Sequence, residues 1–158
     1  MEINVLVDKD FEECLEVGWL QKIAGQVLVA QNVGSNAELG LVVASQERVR
    51  ELNLKYLGRD EPTDVLAFSA VEEIGTDSPR FVMPPDGMLH LGEAIISYPQ
   101  AVIQAEEHGH SVRREMAILV IHGILHLLGY DDERPETKQV MSAREAEILG
   151  DIEAKERL

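Results

Sequence analysis

The segment from Leu119 to Leu128 constrains the fold most strongly, because it is apolar on almost every side and yet carries two histidines four residues apart. A helix that is apolar all round has to be surrounded by other elements, so this segment predicts a buried helix. Residues four apart on a helix lie one above the other, and His122 and His126 therefore direct two imidazoles toward one point. Both rings are expected to be desolvated there and to need polar partners.

This histidine pair predicts a metal site whose remaining ligand comes from the turn after the helix. Gly129 can adopt the left-handed conformation that ends a helix, so the chain can fold back and bring Asp131 or Asp132 to the cation. Two nitrogens and one carboxylate leave a coordination position open, which is typical of a catalytic metal rather than a structural one. The alternative is that both histidines are core residues hydrogen-bonded to backbone carbonyls.

The pair is similar to the metalloprotease motif HExxH, but Gly123 stands where that motif has its general-base glutamate. A protease interpretation therefore lacks its base. Any attacking water has to be activated by the cation or by a carboxylate from elsewhere in the fold. The other histidines lack this spacing and are predicted to be structural or exposed: His90, His108 and His110.

The periodicity of the chain predicts four strands and five helices. The strands are expected at 2–8, 37–45, 65–68 and 88–97, and the helices at 10–31, 45–57, 99–108, 111–128 and 136–155. Asp10 is the predicted N-cap of the first helix. Glycines and prolines interrupt residues 72–88, which are predicted to form a loop that acts as a mobile flap near the site. Strands followed by helices in this order predict an α+β fold.

The net charge of −15, from 14 basic and 29 acidic residues, argues against a nucleic-acid partner. RNA binding usually draws on lysine and arginine contacts with phosphate, and an acidic chain repels RNA at long range. The charge is unevenly distributed, however, because residues 47–59 hold four basic side chains against two acidic ones, a local net charge of +2. This basic stretch is interpreted equally well as an RNA-binding surface and as the solvated face of a helix.

Length and composition predict one domain over residues 1–158, located in the cytoplasm. The chain has no run of about 18 apolar residues that could span a membrane. Its acidic start at Glu2 lacks the basic region of a signal peptide. The single cysteine, Cys14, is predicted to be a buried thiol. The oligomeric state stays open.

Three motifs carry a family resemblance. The run from His122 to Asp131 resembles the HGxLHLxGYDH motif of the YbeY family, bacterial endoribonucleases of ribosomal RNA maturation. Residues 52–68 resemble the family segment LNxxYRGKDxPTDVLSF, and residues 91–97 resemble its LGDIxIS strand. Because the three motifs occur in the family order, the chain is identified as a member of that family.

The resemblance implies an α+β fold with a four-stranded, mostly parallel mixed sheet, covered by about five helices and with the metal helix central. It also implies a zinc-dependent, single-strand-specific endoribonuclease that acts in maturation of the 3′ end of 16S ribosomal RNA and in ribosome quality control. The implied partners are ribosomal RNA and small-subunit components. One zinc ion per chain, or another divalent metal, is implied at His122, His126 and Asp132.

Two positions depart from the family pattern. Asp132 stands where the family has its third histidine ligand, and a carboxylate makes the bound metal less Lewis acidic and favours a harder ion. Leu57 replaces the arginine of the family's YRG segment, so Arg59 becomes the candidate for stabilising charge on the phosphodiester. Two alternatives follow: a ribosome-associated binding protein with weakened catalysis, and a metal hydrolase of another substrate such as a peptide.

Overall fold

The computed structural model describes residues 1–70 and 87–158. In this part of the chain the strands are β1 (Glu2–Val7), β2 (Ala37–Ala44), β3 (Val65–Ser69) and β4 (Leu89–Ser97). The helices are α1 (Val17–Ala30), α2 (Gln46–Leu57), α3 (Tyr98–His108), α4 (Val112–Leu127) and α5 (Pro135–Lys155). None of the described helices is long and apolar enough to cross a membrane. The predicted loop and flap at 72–88 fall, except for the last two positions, outside the described residues.

The four strands form one mixed sheet in the order β1-β2-β4-β3. β1 pairs with β2 and β2 with β4 in parallel, whereas β3 runs antiparallel to β4. Parallel neighbours need a crossover connection. α1 supplies the first crossover, and α2 together with β3 supplies the second. The predicted α+β fold with a mostly parallel four-stranded sheet is confirmed.

The helices lie on both faces of this sheet. The larger core lies between one face and α1, α4 and α5, and Ala94 and Ile96 of β4 point into it. Ile95, which lies between them, points to the opposite face and packs with Val49 of α2. α4 contacts β3, β4, α1, α3 and α5. It is therefore the central helix, as its nearly continuous apolar surface predicts.

The start of the first helix was predicted wrongly. Asp10 is not its N-cap: the chain forms a 3-10 turn at Lys9–Phe11, and α1 begins only at Val17. Glutamates at positions 12, 13 and 16 separate the two elements. On a helix they would face one another at spacings of three and four residues, where like charges are destabilising. Cys14 lies in this non-helical segment and is exposed, so the prediction of a buried thiol is also wrong.

Gly123 lets α4 lie directly on the sheet. A β-carbon added at this position would lie 3.0 Å from Ala94 Cβ and 3.3 Å from Val65 Cγ2, which is tighter than ordinary van der Waals contact. Val65 is the first residue of β3. The missing side chain therefore brings the start of β3 against the turn of α4 that carries His122.

Candidate metal centre

His122 and His126 meet at their Nε2 atoms, which lie 3.0 Å apart. Asp132 Oδ2 lies 3.9 Å from each of these nitrogens. A tetrahedral zinc ion with bonds of about 2.0–2.2 Å separates its ligand atoms by about 3.4 Å. The structure thus brings the three predicted ligands together in a triangle around one point, with the aspartate oxygen somewhat farther from the two nitrogens than in a tetrahedral zinc site.

The hydrogen bonds of the two histidines leave both Nε2 atoms as acceptors. His126 Nδ1 lies 3.0 Å from Tyr130 O, and because a carbonyl only accepts, this nitrogen carries the proton. His122 Nδ1 donates to the carboxylate of Glu145 on α5. In the neutral rings two Nε2 lone pairs then face each other, an arrangement that a cation between them stabilises. The donor set therefore fits a metal ion.

The turn after α4 places Asp132, rather than Asp131, beside the two histidines. Gly129 has φ +99°, in the left-handed region that reverses the chain after a helix. This reversal brings Asp132 to the histidines. Asp131 is engaged elsewhere, because its Oδ1 accepts a hydrogen bond from Glu133 N at 3.2 Å.

The site is partly buried and electrostatically negative. Both histidine side chains are 27% exposed and that of Asp132 is 46% exposed, so the triangle opens to solvent on the aspartate side. Burial acts to lower the pKa of His122. The hydrogen bond to Glu145 and the negative charges of Glu145, Asp64 and Asp132 outweigh burial, and the pKa lies above its ordinary value. These charges also favour a bound metal cation.

Glu145 is a site residue that the sequence reasoning missed. A carboxylate behind a metal-binding histidine orients the ring and raises its basicity. The signal that could have found it is helical spacing, because Met141 and Ile148 on the same helix are buried and Glu145 lies between them at four and three residues. This spacing places Glu145 on the face of α5 that points inward, among many acids that point outward.

Arg59, the predicted catalytic arginine, is not brought into contact with the histidines. It follows Gly58, whose φ of +70° ends α2, and its backbone N–H donates to Asn53 O. The side chain is exposed. It makes no hydrogen bond or ion pair with any residue in the described part of the chain.

A second histidine cluster surrounds Glu115 near the start of α4. His108 Nδ1 and His110 Nε2 lie 3.3 and 2.5 Å from Glu115 Oε2. Arg114 donates to His110 Nδ1 at 2.8 Å, so the other nitrogen of that ring carries the proton and donates to the carboxylate. A ring that accepts at one nitrogen and donates from the other has no lone pair left for a metal. This cluster is therefore a hydrogen-bond network.

Glu115 is expected to make the stability of the fold sensitive to acid. The residue is 2% exposed. Burial raises its pKa, but hydrogen bonds from His110, Gln104 and His108 outweigh burial and hold the pKa below its ordinary value. A carboxyl group of this kind stabilises the fold above its unfolded-state pKa of about 4.3. The contribution is lost as the pH falls through the lower folded-state pKa.

We expect Glu115→Ala to lower the free energy of unfolding by about 2 kcal/mol at pH 7, because it removes a buried carboxylate that accepts hydrogen bonds from Gln104, His108 and His110. The loss should be smaller at pH 3, where the carboxylate of the parent protein is being protonated. Denaturant titrations at both pH values measure the difference, with the exposed Glu106→Ala on α3 as the matched control. Equal losses at the two pH values would contradict this account of Glu115.

The chain is similar in sequence and in fold to known proteins. A family model described as Endoribonuclease YbeY matches residues 7–153. A Dehalococcoides mccartyi protein named Endoribonuclease YbeY is 49% identical over 148 residues, covering 92% of this chain and 86% of the relative. A Roseiflexus castenholzii protein of the same name is 40% identical over 149 residues, covering 94% and 91%. The solution structure of TM1509 from Thermotoga maritima shares the fold, with a TM-score of 0.58 at 24% identity over 97% of this chain and 93% of that one.

Proposed function

The chain belongs to the YbeY endoribonuclease family, and from this premise we propose that it is a metal-dependent hydrolase that cleaves single-stranded RNA in ribosomal RNA maturation. The observation that carries the proposal is the convergence of two Nε2 atoms and one carboxylate oxygen at the end of α4. The name of the relatives supports an RNA substrate. The proposed target is the 3′ end of small-subunit ribosomal RNA, with small-subunit components as partners in the cytoplasm.

The proposed ligands of one zinc ion, or of another divalent metal, are His122, His126 and Asp132. Such an ion supplies Lewis acidity, which stabilises negative charge on a phosphoryl oxygen. Glu145 keeps the His122 ring turned so that Nε2 points to the centre of the triangle. Arg59 is proposed to bind the phosphodiester, since a free guanidinium can donate two parallel hydrogen bonds to phosphate oxygens.

The basic stretch at 47–59 offers RNA less charge than the sequence suggests. Arg50 Nε is paired with Asp60 Oδ1 at 2.7 Å, and the Arg48 guanidinium lies 3.8 Å from a Glu51 carboxylate oxygen. These contacts neutralise part of the local positive charge. With a net charge of −15 on the whole chain, we expect weak binding of RNA by electrostatics alone. Productive binding then depends on the metal centre and on Arg59.

Removal of the metal tests the proposal. We expect the purified protein to cleave a single-stranded oligoribonucleotide, to lose this activity after chelation and dialysis, and to regain it on addition of Zn²⁺. Elemental analysis before and after chelation gives the metal content per chain, and a duplex of the same sequence is the matched substrate control. Cleavage that survives complete metal removal would overturn the metal dependence. Absence of cleavage by the zinc-loaded protein would overturn the endoribonuclease activity.

Asp132→His is expected to tighten zinc binding about tenfold, or about 1.4 kcal/mol. The carboxylate oxygen lies 3.9 Å from both Nε2 atoms, beyond the separation of about 3.4 Å in a tetrahedral site. A longer and softer imidazole can close this gap. Asp132→Ala should weaken binding by at least about tenfold, because it leaves two protein ligands.

Competition with a chromogenic chelator measures these zinc affinities. Asp131→Ala is the matched control, because the Asp131 carboxylate accepts a hydrogen bond from Glu133 N. This variant is expected to bind zinc with the affinity of the parent protein. An Asp132→Ala protein that binds zinc as tightly as the parent would exclude Asp132 as a ligand.

A further inference from the structure

The side chain of Tyr130, in the turn after α4, belongs to a polar network that reaches α1 and α5 and to which no role has been given above. We propose that Gln31, the residue after α1, acts through Tyr130 as a positioning residue for the candidate metal centre. It holds the turn in the place where the turn orients His126 and presents Asp132. This inference rests on the proposed function only through its metal centre.

The turn at residues 129–132 determines the placement of two of the three proposed ligands. Its Tyr130 carbonyl oxygen lies 3.0 Å from His126 Nδ1, and this contact leaves Nε2 as the nitrogen that can bind a metal. Two residues farther on, the same turn presents Asp132 Oδ2 at 3.9 Å from Nε2 of both histidines. A displacement of Tyr130 therefore alters the orientation of one ligand and the position of another.

The side chain of Tyr130 connects this turn to the end of α1. Gln31 Nε2 lies 3.0 Å from Tyr130 Oη, although the two residues are 99 positions apart in the chain. The Tyr130 ring is partly buried and packs against the larger core. Backbone hydrogen bonds from Tyr130 N to Leu125 O and from Gly129 N to His126 O tie the turn to α4. The hydrogen bond of Gln31, in contrast, fixes the turn relative to a different helix.

Arg144 on α5 determines which way the Gln31 amide faces. A guanidinium only donates hydrogen bonds, so the Gln31 Oε1 atom that lies 2.5 Å from Arg144 Nε is the acceptor. The NH₂ group of Gln31 then faces Tyr130 and donates to its phenol oxygen. Arg144 also donates to Ala30 O at 2.6 Å and to Glu147 Oε2 at 2.8 Å. These contacts hold the guanidinium in one place, and with it the amide of Gln31.

Two consecutive residues of α5 reach the metal centre by different routes. Glu145 contacts His122 Nδ1 directly. Arg144 reaches the turn at residues 129–132 through Gln31. Adjacent residues of a helix point about 100° apart, so Arg144 extends to the end of α1 while Glu145 extends to α4. Since α1 packs against both α4 and α5, the arrangement of these three helices fixes both imidazoles of the site.

Zinc affinity of the full-length protein, measured by competition with a chromogenic chelator, tests the proposal without reference to RNA cleavage. We expect Gln31→Leu and Tyr130→Phe each to weaken zinc binding by about tenfold, the lower end of the range for residues that orient metal ligands. Both variants keep most of the side-chain volume and remove the hydrogen bond between the two residues. The matched controls are Gln139→Leu on α5 and Tyr56→Phe on α2, which change exposed side chains and should bind zinc with parental affinity.

A double variant and a conservative variant distinguish action through Tyr130 from two independent effects. The double variant Gln31→Leu/Tyr130→Phe should bind zinc about as weakly as either single variant, because the second change removes a hydrogen bond that is already lost. Gln31→Glu should bind zinc about as tightly as the parent, because a carboxylate can accept from both Arg144 and the Tyr130 hydroxyl.

Three outcomes would overturn the role of Gln31. The first is parental zinc affinity in both single variants, even where thermal unfolding shows that their melting temperature has fallen, which would assign the network to stability alone. The second is a double variant whose loss of affinity equals the product of the two single losses. The third is a Gln31→Glu protein that binds zinc as weakly as Gln31→Leu.

Folding failure and failure of the nuclease activity are distinguishable from these outcomes. If Gln31→Leu does not fold, Tyr130→Phe decides, since it keeps the packed ring and removes only the hydroxyl: weakened zinc binding supports the proposal and parental affinity overturns it. Absence of zinc binding by the parent protein would overturn the metal centre and this inference with it. Zinc binding without RNA cleavage would overturn the proposed nuclease activity, while the affinities of the variants would still decide the role of Gln31.

Discussion

Replacement of His126 by alanine is expected to abolish tight metal binding and to lower RNA cleavage by at least about 1,000-fold, or about 4 kcal/mol of transition-state stabilisation. The variant retains His122 and Asp132, and two ligands do not make a zinc site. The effect on folding should be small by comparison. The His126 side chain is 27% exposed, and its hydrogen bond to Tyr130 O is worth about 1 kcal/mol.

Elemental analysis, cleavage kinetics and thermal unfolding of the same preparation separate these effects. His90→Ala on β4 is the matched control, because His90 belongs to neither histidine cluster and its loss should leave metal content and cleavage unchanged. A His126→Ala protein that keeps one zinc per chain and cleaves RNA at the parental rate would refute the proposed site.

Gly123→Glu is expected to destabilise the fold by about 3 kcal/mol or more, although it gives the chain the HExxH pattern of the metalloproteases. The first atom of the new side chain would already lie 3.0 Å from Ala94 Cβ and 3.3 Å from Val65 Cγ2. The rest has to push α4 away from the sheet or bury a carboxylate without partners. The melting temperature should fall by about 6–12 °C for a chain of this length, and no peptidase activity should appear.

Gly123→Ala is the control for this change. Alanine gains about 1 kcal/mol of helix propensity over glycine and adds only the β-carbon, so the melting temperature should move by about 3 °C or less. Thermal unfolding of both variants, with a peptidase assay of Gly123→Glu, checks the prediction. Parental stability of Gly123→Glu would show that α4 does not lie as close to the sheet as the structure has it.

The structure shows where Leu57, which departs from the family pattern, lies in the fold. Leu57 is the last residue of α2 and its side chain is 53% exposed, so its replacement of the family arginine leaves the hydrophobic core unaffected. Arg59 lies two residues later, beyond the left-handed Gly58. Its guanidinium has no hydrogen-bond or ion-pair partner among residues 1–70 and 87–158, and the proposed role of Arg59 in phosphate binding builds on this.

Local patterns in the sequence were sufficient to predict the features that depend on residues close together along the chain. The four-residue spacing of His122 and His126 determined that their rings meet, because helix geometry repeats every 3.6 residues. Ser45 was recognisable as the start of α2, and its Oγ accepts from Arg48 N at 3.1 Å. The apolar periodicities of the other segments likewise predicted the four strands and the central position of α4.

Only the tertiary structure decided which distant groups complete the site. The proximity of Asp132, rather than Asp131, to the histidines depends on how the turn after Gly129 rests against α4. Glu145 reaches His122 across 23 positions of the chain. Spacing along the chain does not encode these contacts. They arise when elements that are separated in sequence bury their apolar faces against one another, and this burial depends on the packing of the entire fold.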